Sequence, residues 1–458
     1  MMSYNILADS YAREYSKDLY SNVPWSVLAW DKRVRLVAKE VAHYKPDIVC
    51  FQEVDHYEHL RDLLQEHGYT GSYVQRTGGR PDGLATFWRA KAFTVVSLHT
   101  IEFAALGLKD NVCQLTLLKK MPEHGDSAPK GDVDCSILIA NIHVLFNPKR
   151  GDIKLAQVRT MLEEADRIAK NSKFGGCPII ACGDFNSAVG SPMYNFITRG
   201  KLDLHSTDRR TISGQIEASG RRGWPSIRNN FYLAMNKGGT TEHDALHAAN
   251  GHHSSPGLLD GDRVLARTIR VEEDAGSAAA SSSHSCDTHV KAALENDIAL
   301  GVELGCLSSD CSEMGESNTN LSNTKQPRHS QRLRTHRAWS ADELQMATGV
   351  RTDSGTEMAS VVCHPLKLHS AFATVTGEEP VYTTVHDKYV GTVDYIFYTP
   401  EAHCNFGNIS LRPFRARAPP PLRTLHYGLP SKSWPSDHVC LVVDFELGAA
   451  RPEYENTV

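Results

Sequence analysis

Two stretches of this chain run from an amphipathic helix into an apolar strand that stops at polar side chains, and this repeated unit limits the fold more than any other feature. Residues 31–45 place Val34, Val37, Ala38, Val41 and Tyr44 on one helical face. Lys45-Pro46 ends that helix, because proline has no amide hydrogen to donate, and the apolar strand Asp47–Phe51 follows. The same logic recurs with Leu155, Val158, Leu162, Ala165 and Ile168, then Gly175-Gly176, then the strand Pro178–Cys182. Two such units predict helices packed outside buried sheets.

Between them lie Leu84–Trp88, Thr94–Leu98, Val112–Leu118 and Ser136–Val144, strand candidates joined by turn-rich links such as Thr77–Pro81. Consecutive strands without helices imply hairpins, hence a mixed core. A last pair, Thr392–Tyr398 and His438–Phe445, completes an α/β fold of two stacked mixed β-sheets flanked by helices, a four-layer α/β/β/α sandwich. One interrupted domain is expected over residues 1–205 and 362–446. Residues 206–361 lose apolar periodicity and include AGSAAASSSHS, so they are expected to form a long, largely disordered, low-complexity insertion. Its best helix candidates are DTHVKAALENDIALGVEL and SADELQMATG, the second opening at Ser340-Ala341-Asp342-Glu343 like a capped helix start. Residues 447–458 are left as a C-terminal tail.

With 49 basic and 54 acidic residues the formal charge is −5, so a nucleic acid has to be held by local patches and not by a global positive field. The 11 cysteines fall singly, mostly inside apolar runs, as expected of reduced core thiols in the cytoplasm and/or nucleus. No apolar run is long enough to span a bilayer, and no membrane partner is expected. Met2–Leu7 reads as a core strand with nothing ahead of it to pair or cap it, the pattern expected of a chain truncated at that end.

The densest chemical signal is Gly183-Asp184-Phe185-Asn186 at the end of an apolar strand. A carboxylate and a carboxamide two residues apart can share one site, one orienting water and one donating to a phosphate oxygen. Alone the pair is equally a turn. Three other strand ends carry polar groups: Asn5, Glu53 after DIVCFQ, and Asp437-His438 before VCLVVDF. Glu53 offers the oxygen donor that a hard cation such as Mg2+ takes. Asp394 sits in the apolar strand Thr392–Tyr398, where an unpaired carboxylate is costly, and His438 is its natural partner. Such a couple fixes the tautomer of the ring and stabilises its protonated form. The chain has no Gly-x-Ser-x-Gly elbow, so serine acyl transfer is not supported.

The order SYNILAD, KPDIVCFQEVD, DGLATFW, ANIHVLFNP, GDFNS, LKLHSAF, GTVDYIFY and PSDHVCLVVDFEL resembles the endonuclease/exonuclease/phosphatase superfamily, and within it the carbon catabolite repressor deadenylases with their Angel and nocturnin relatives. The resemblance covers roughly residues 2–205 and 362–446. It implies a magnesium-dependent 3′-to-5′ exoribonuclease that removes poly(A) tails from mRNA, a single-stranded RNA partner, and release of 5′-AMP. It further implies that Glu53 and Asn5 hold the metal, with Asp437 assisting there or at the histidine. Asp184 and Asn186 align water and phosphate, His438 paired with Asp394 stabilises developing charge, and His143 contacts the phosphate. Asn147 is a weaker candidate, and Phe146, Phe372 and Tyr382 are stacking candidates more in keeping with core or rim.

The resemblance leaves substrates open, because superfamily members open different phosphate esters with one residue set. A nocturnin-like phosphatase acting on a phosphorylated dinucleotide and a catalytically silent RNA-binding scaffold are the alternatives. No leucine-rich repeat is present, which leaves membership of a multiprotein deadenylase complex open. In the insertion, Arg328, Arg332, Arg334 and Arg337 suit an RNA contact or a nuclear address, against a solvated linker. Cys306, Cys311, His284 and His289 lack a usual zinc spacing.

Overall fold

The computed structural model describes residues 1–122, 135–171, 176–215, 339–349, 360–404, 407–425 and 428–449, all within one compact unit, Met1–Ser254 with Thr335–Val458. Its strands are β1 Met2–Asn5, β2 Ile48–Val54, β3 Tyr69–Gln75, β4 Gly83–Arg89, β5 Phe93–Glu102, β6 Val112–Lys120, β7 Ser136–His143, β8 Ile179–Asp184, β9 Lys201–Asp203, β10 Val361–Cys363, β11 His369–Ser370, β12 Thr384–His386, β13 Tyr389–Gly391, β14 Asp394–Tyr398, β15 Glu401–Cys404, β16 Gly407–Ala416 and β17 Leu441–Ala449. The helices are α1 Asp9–Glu14, α2 Trp25–Leu28, α3 Trp30–Tyr44, α4 Tyr57–Gln65, α5 Gly151–Lys170, α6 Pro192–Arg199, α7 Ala341–Thr348 and α8 Ala371–Thr376.

A seven-stranded sheet runs β15-β16-β17-β1-β2-β4-β3 and a six-stranded sheet runs β11-β14-β8-β7-β6-β5. Within them β1 with β2, and β7 with β8, are parallel, and the other pairs are antiparallel, so both sheets are mixed as expected. The strand period of two explains why the runs feeding the site are apolar throughout. In β2, Cys50 faces the layer between the sheets while Val49 and Phe51 face α3 and α4; in β8, Ile180 and Cys182 face inward while Ile179 and Ala181 face α5. Three apolar layers therefore separate four layers of structure.

The expected last pair is corrected: β14 lies in the six-stranded sheet and β17 in the seven-stranded one, so the segments face each other across the sandwich instead of pairing. The first strand, expected to lack a partner, is flanked by β2 and β17, both supplied by later sequence. Of the tail expected over 447–458, residues 447–449 belong to β17, and 450–458 lie outside the described residues.

The interruption expected over 206–361 is folded at both ends. Ile212 and Ala347 are fully buried, Trp339 Nε1 donates to Thr207 O at 2.8 Å, and Arg209 bridges Asp152 at 3.4 Å and Glu343 at 3.2 Å. Gly151 permits this contact, since a Cβ there would lie 2.0 Å from Arg209 O. The helix expected in SADELQMATG is α7, with Ser340 and Glu343 forming a reciprocal capping box. DTHVKAALENDIALGVEL, the arginines from 328 to 337 and the cysteine and histidine set from 284 to 311 lie outside the described residues. Among the described residues no helix is long and apolar enough to cross a membrane.

Candidate active site

Strand register alone assembles half of the site. Asp184 closes β8, with Asp394 of β14 opposite it on one side and His143 of β7 on the other, so three polar side chains form a row across the end of the six-stranded sheet. On the facing sheet, Asn5 closes β1 beside Gln52 of β2. Glu53 is the extra residue where the pairing of β2 with β4 slips between Gln52 and Val54. Its φ of 57° is left-handed, and this bulge turns its carboxylate out of the pleat. Asn5 Nδ2 then spans the two sheets, donating to Glu53 Oε1 at 2.9 Å and to Asp184 Oδ2 at 3.2 Å.

Asn186, also left-handed at φ 46°, is held at its amide by Asp184 Oδ1 at 2.8 Å and at its carboxamide by Val144 O at 3.0 Å. Gly183 makes this turn possible: its φ is 136°, and a Cβ there would lie 1.9 Å from Ile142 O. His438 Nδ1 is 2.8 Å from Asp394 Oδ2, and its Nε2 is 3.9 Å from Asp184 Oδ2. His143 Nε2 approaches the same Asp184 oxygen at 3.4 Å. Asp437 accepts from Tyr20 OH at 2.9 Å, and its charge acts on both Glu53 and the ring of His438.

The charges are held out of water, and this sets their protonation. Burial, then Asp437 and Asp82, push the Glu53 carboxyl up to about 8. Burial and the neighbouring Asp394 push Asp184 up to about 7. Burial alone would lower the ring of His438, but Asp394 and Asp437 outweigh it and hold its pKa well above the ordinary value. His143, buried and within the field of Arg76, is driven well below it and stays neutral. Two imidazoles of opposite protonation thus flank one carboxylate.

A hard divalent cation fits the Glu53 corner. There the Glu53 carboxyl lies in the field of Asp437 with the Asn5 carboxamide against its Oε1, and the proton on Glu53 relieves a repulsion that a cation would relieve instead. Asp184, Asp394 and His438 also bring one ligand atom each within 4.8 Å of one another. That trio is already joined by the His438–Asp394 hydrogen bond, which suits a proton-handling couple.

All eight site residues expected from sequence meet here. Asn147 does not join them: it is exposed and its side chain closes its own turn on Lys149 N at 2.9 Å. Phe372 and Tyr382 are core, whereas Phe146 is 63 % exposed three residues beyond His143. The sequence reading missed several supports. Arg33, fully buried, donates to Ile6 O, Leu7 O and Pro435 O and so ties the loops carrying Asn5 and His438. Thr383 Oγ1 receives the Asp394 amide at 3.1 Å, and Lys154 lies beneath Asn186. A charged residue in the buried stripe of a helix was the available signal for Arg33 and Lys154.

A two-sheet sandwich with acid, amide and histidine groups converging at its strand ends is the architecture of a phosphoester hydrolase, and the chain belongs to the Endonuclease/Exonuclease/phosphatase family, whose model matches residues 2–282. Enzymes of this family are generally dependent on divalent metal. The chain is 31 % identical to carbon catabolite repressor protein 4 homolog 3 of Arabidopsis thaliana over 97 % of its own length and 74 % of that protein's. It is 40 % identical to protein angel homolog 1 of Homo sapiens over 48 % of its length and 33 % of that protein's. Among solved structures, that of ANGEL2, a 2′,3′-cyclic phosphatase, matches with a TM-score of 0.61 and 25 % identity over 97 % of this chain and 93 % of that one.

Proposed function

We propose that this chain is a magnesium-dependent 3′-to-5′ exoribonuclease that shortens poly(A) tails of mRNA and releases 5′-AMP. The observation that carries the reading is the neutral His143 and protonated His438 on either side of Asp184, facing the Asn5–Glu53 corner across the sheets. In it Glu53, with Asn5 and Asp437, holds the cation, which when bound supplies positive charge to a phosphate oxygen. Asp184 accepts the proton of the attacking water. Asn186 donates to a phosphoryl oxygen, His143 contacts another through Nε2, and His438 neutralises the charge that develops on the group being displaced, its proton held by Asp394. Phe146, exposed and three residues after His143 in the chain, is the candidate stacking face for a 3′-terminal base. Likeness to carbon catabolite repressor homologues supports the substrate class.

A second reading is favoured by the likeness to ANGEL2: removal of a 2′,3′-cyclic phosphate from an RNA end, with the same residues acting on a phosphate held in a ring. The test incubates wild type and Glu53→Ala with 5′-labelled RNA ending in an adenylate tail, the same RNA closed by a 2′,3′-cyclic phosphate, and NADP, in Mg2+ and then in chelator. Mg2+-dependent laddering of the tail, lost in the variant, supports the exoribonuclease. Ring opening without laddering moves the assignment to the cyclic phosphatase, and phosphate release from NADP alone to the dinucleotide phosphatase. No turnover by folded protein leaves the RNA-binding scaffold.

A further inference from the structure

Lys154 is a lysine with no exposed surface, placed in the first turn of α5 between the buried Ile153 and Leu155. Lysine is among the residues least often fully buried, and an apolar side chain would fill this space without the cost of removing an ammonium group from water. Among the described residues it forms no salt bridge. Its Nζ instead donates to two neutral oxygens, Asn186 O at 2.6 Å and Gln215 Oε1 at 3.2 Å.

The short bond ends on a residue that needs holding. Asn186 has the left-handed backbone that costs a non-glycine residue about 1–3 kcal/mol unless its surroundings enforce it. Its amide is fixed by Asp184 Oδ1, its carboxamide by Val144 O, and its carbonyl by Lys154. Removal of the third tether frees the peptide that joins the GDFN turn to Ser187. We propose that Lys154 is a positioning residue of the reaction, fixing the Asn186 peptide so that its carboxamide and the Asp184 carboxylate keep the geometry from which they act. Its reach extends further: Asp184 counteracts the burial that pushes the ammonium down to about 7, and the lysine in turn helps to keep His143 neutral.

The proposal rests on Asn186 serving the reaction, and the test separates the two. Turnover of the RNA ester that wild type hydrolyses is measured for Lys154→Met, Asn186→Ala and the double variant, with thermal melts of each. Lys154→Met is expected to lower kcat by about 10- to 100-fold with KM within about threefold, since misplacement of a site by about an ångström costs on this scale. In the Asn186→Ala background the same substitution is expected to lower kcat less than about threefold, because the group it positions is gone. Equal losses in both backgrounds would mean that Lys154 acts only through stability, and the proposal falls. If Lys154→Met does not fold, the cycle is run with Lys154→Gln, which keeps the space polar but is too short to hold the Asn186 carbonyl, under the same criterion. An Asn186→Ala enzyme as active as wild type removes the role given to Asn186, and this proposal with it.

Discussion

Asp394→Asn isolates the charge that holds the proton on His438. Asparagine keeps the shape of the side chain, and the backbone bond from residue 394 to Thr383 Oγ1 does not involve it. The carboxylate 2.8 Å from His438 Nδ1 is lost, leaving Asp437 and Asp184 to oppose burial. Breaking one side of a buried charge pair costs about 3–5 kcal/mol, and one pKa unit is about 1.4 kcal/mol, so the ring's pKa should fall by about 2–4 units. If the protonated ring is the active form, the alkaline limb of kcat moves down by that interval. At pH above both limbs turnover is then lower by the whole interval, about 100-fold or more, and the deficit narrows as pH falls. Stability follows the same proton. The folded pKa lies above the unfolded value of about 6.5, so the couple's contribution is fully present below pH 6.5 and is lost as pH rises through the folded pKa. The melting deficit of Asp394→Asn should accordingly be greatest at or below pH 6.5 and shrink above. The assay is a pH series of kcat at saturating Mg2+ with melts in parallel. A loss of turnover that is the same at every pH, with an unmoved alkaline limb, refutes the protonation argument and leaves Asp394 a purely orienting role.

In metal-free protein the Glu53 carboxyl, pushed up to about 8 by burial and its acidic neighbours, favours folding below about pH 4.5 and loses that contribution as pH rises through 8; Glu53→Gln should flatten this decline and abolish any rise in Tm on adding Mg2+. A surviving Mg2+-induced rise would put the ion at Asp184, Asp394 and His438 instead. Phe146→Ala should raise KM for adenylate-tailed RNA by roughly 5- to 100-fold with kcat and Tm unchanged, the scale of one stacked base, and an unchanged KM removes Phe146 from the substrate path. Gly183→Ala should not give a stable fold, since its Cβ would stand 1.9 Å from Ile142 O at a φ of 136°, and a wild-type melting curve would show that the turn before Asp184 is not held as described.

What the sequence disclosed and what it withheld divide along one physical line. Asn5, Glu53, Asp184 and Asp394 stand at the ends of strands otherwise buried, where a polar residue contradicts its surroundings and so announces itself without any knowledge of pairing, His438 stands in the loop just before β17, and His143 was legible only through the family resemblance. Helix α5 and strand β8 were legible for the same reason, an apolar period broken by glycines and a carboxylate. The partners of these groups were not. β14 and β17 are alike in composition, and only the register of Asp394 on Asp184 assigns β14 to one sheet while Leu441 and Val442 on β1 assign β17 to the other. Strand β16 was missed because Arg412, Pro413 and Arg415 interrupt its apolar pattern, Pro413 sitting where the pairing with β17 slips. Arg33 and Lys154 were missed because a cation on the inward face of a helix reads as an imperfect stripe until the carbonyl groups it serves are known, and those belong to loops distant in sequence. The reacting groups are thus written locally, at strand ends, while the groups that hold them still are written as exceptions to helix periodicity. A fully buried cation that donates to backbone carbonyls therefore points, in a chain of this kind, toward the loop whose conformation the chemistry depends on.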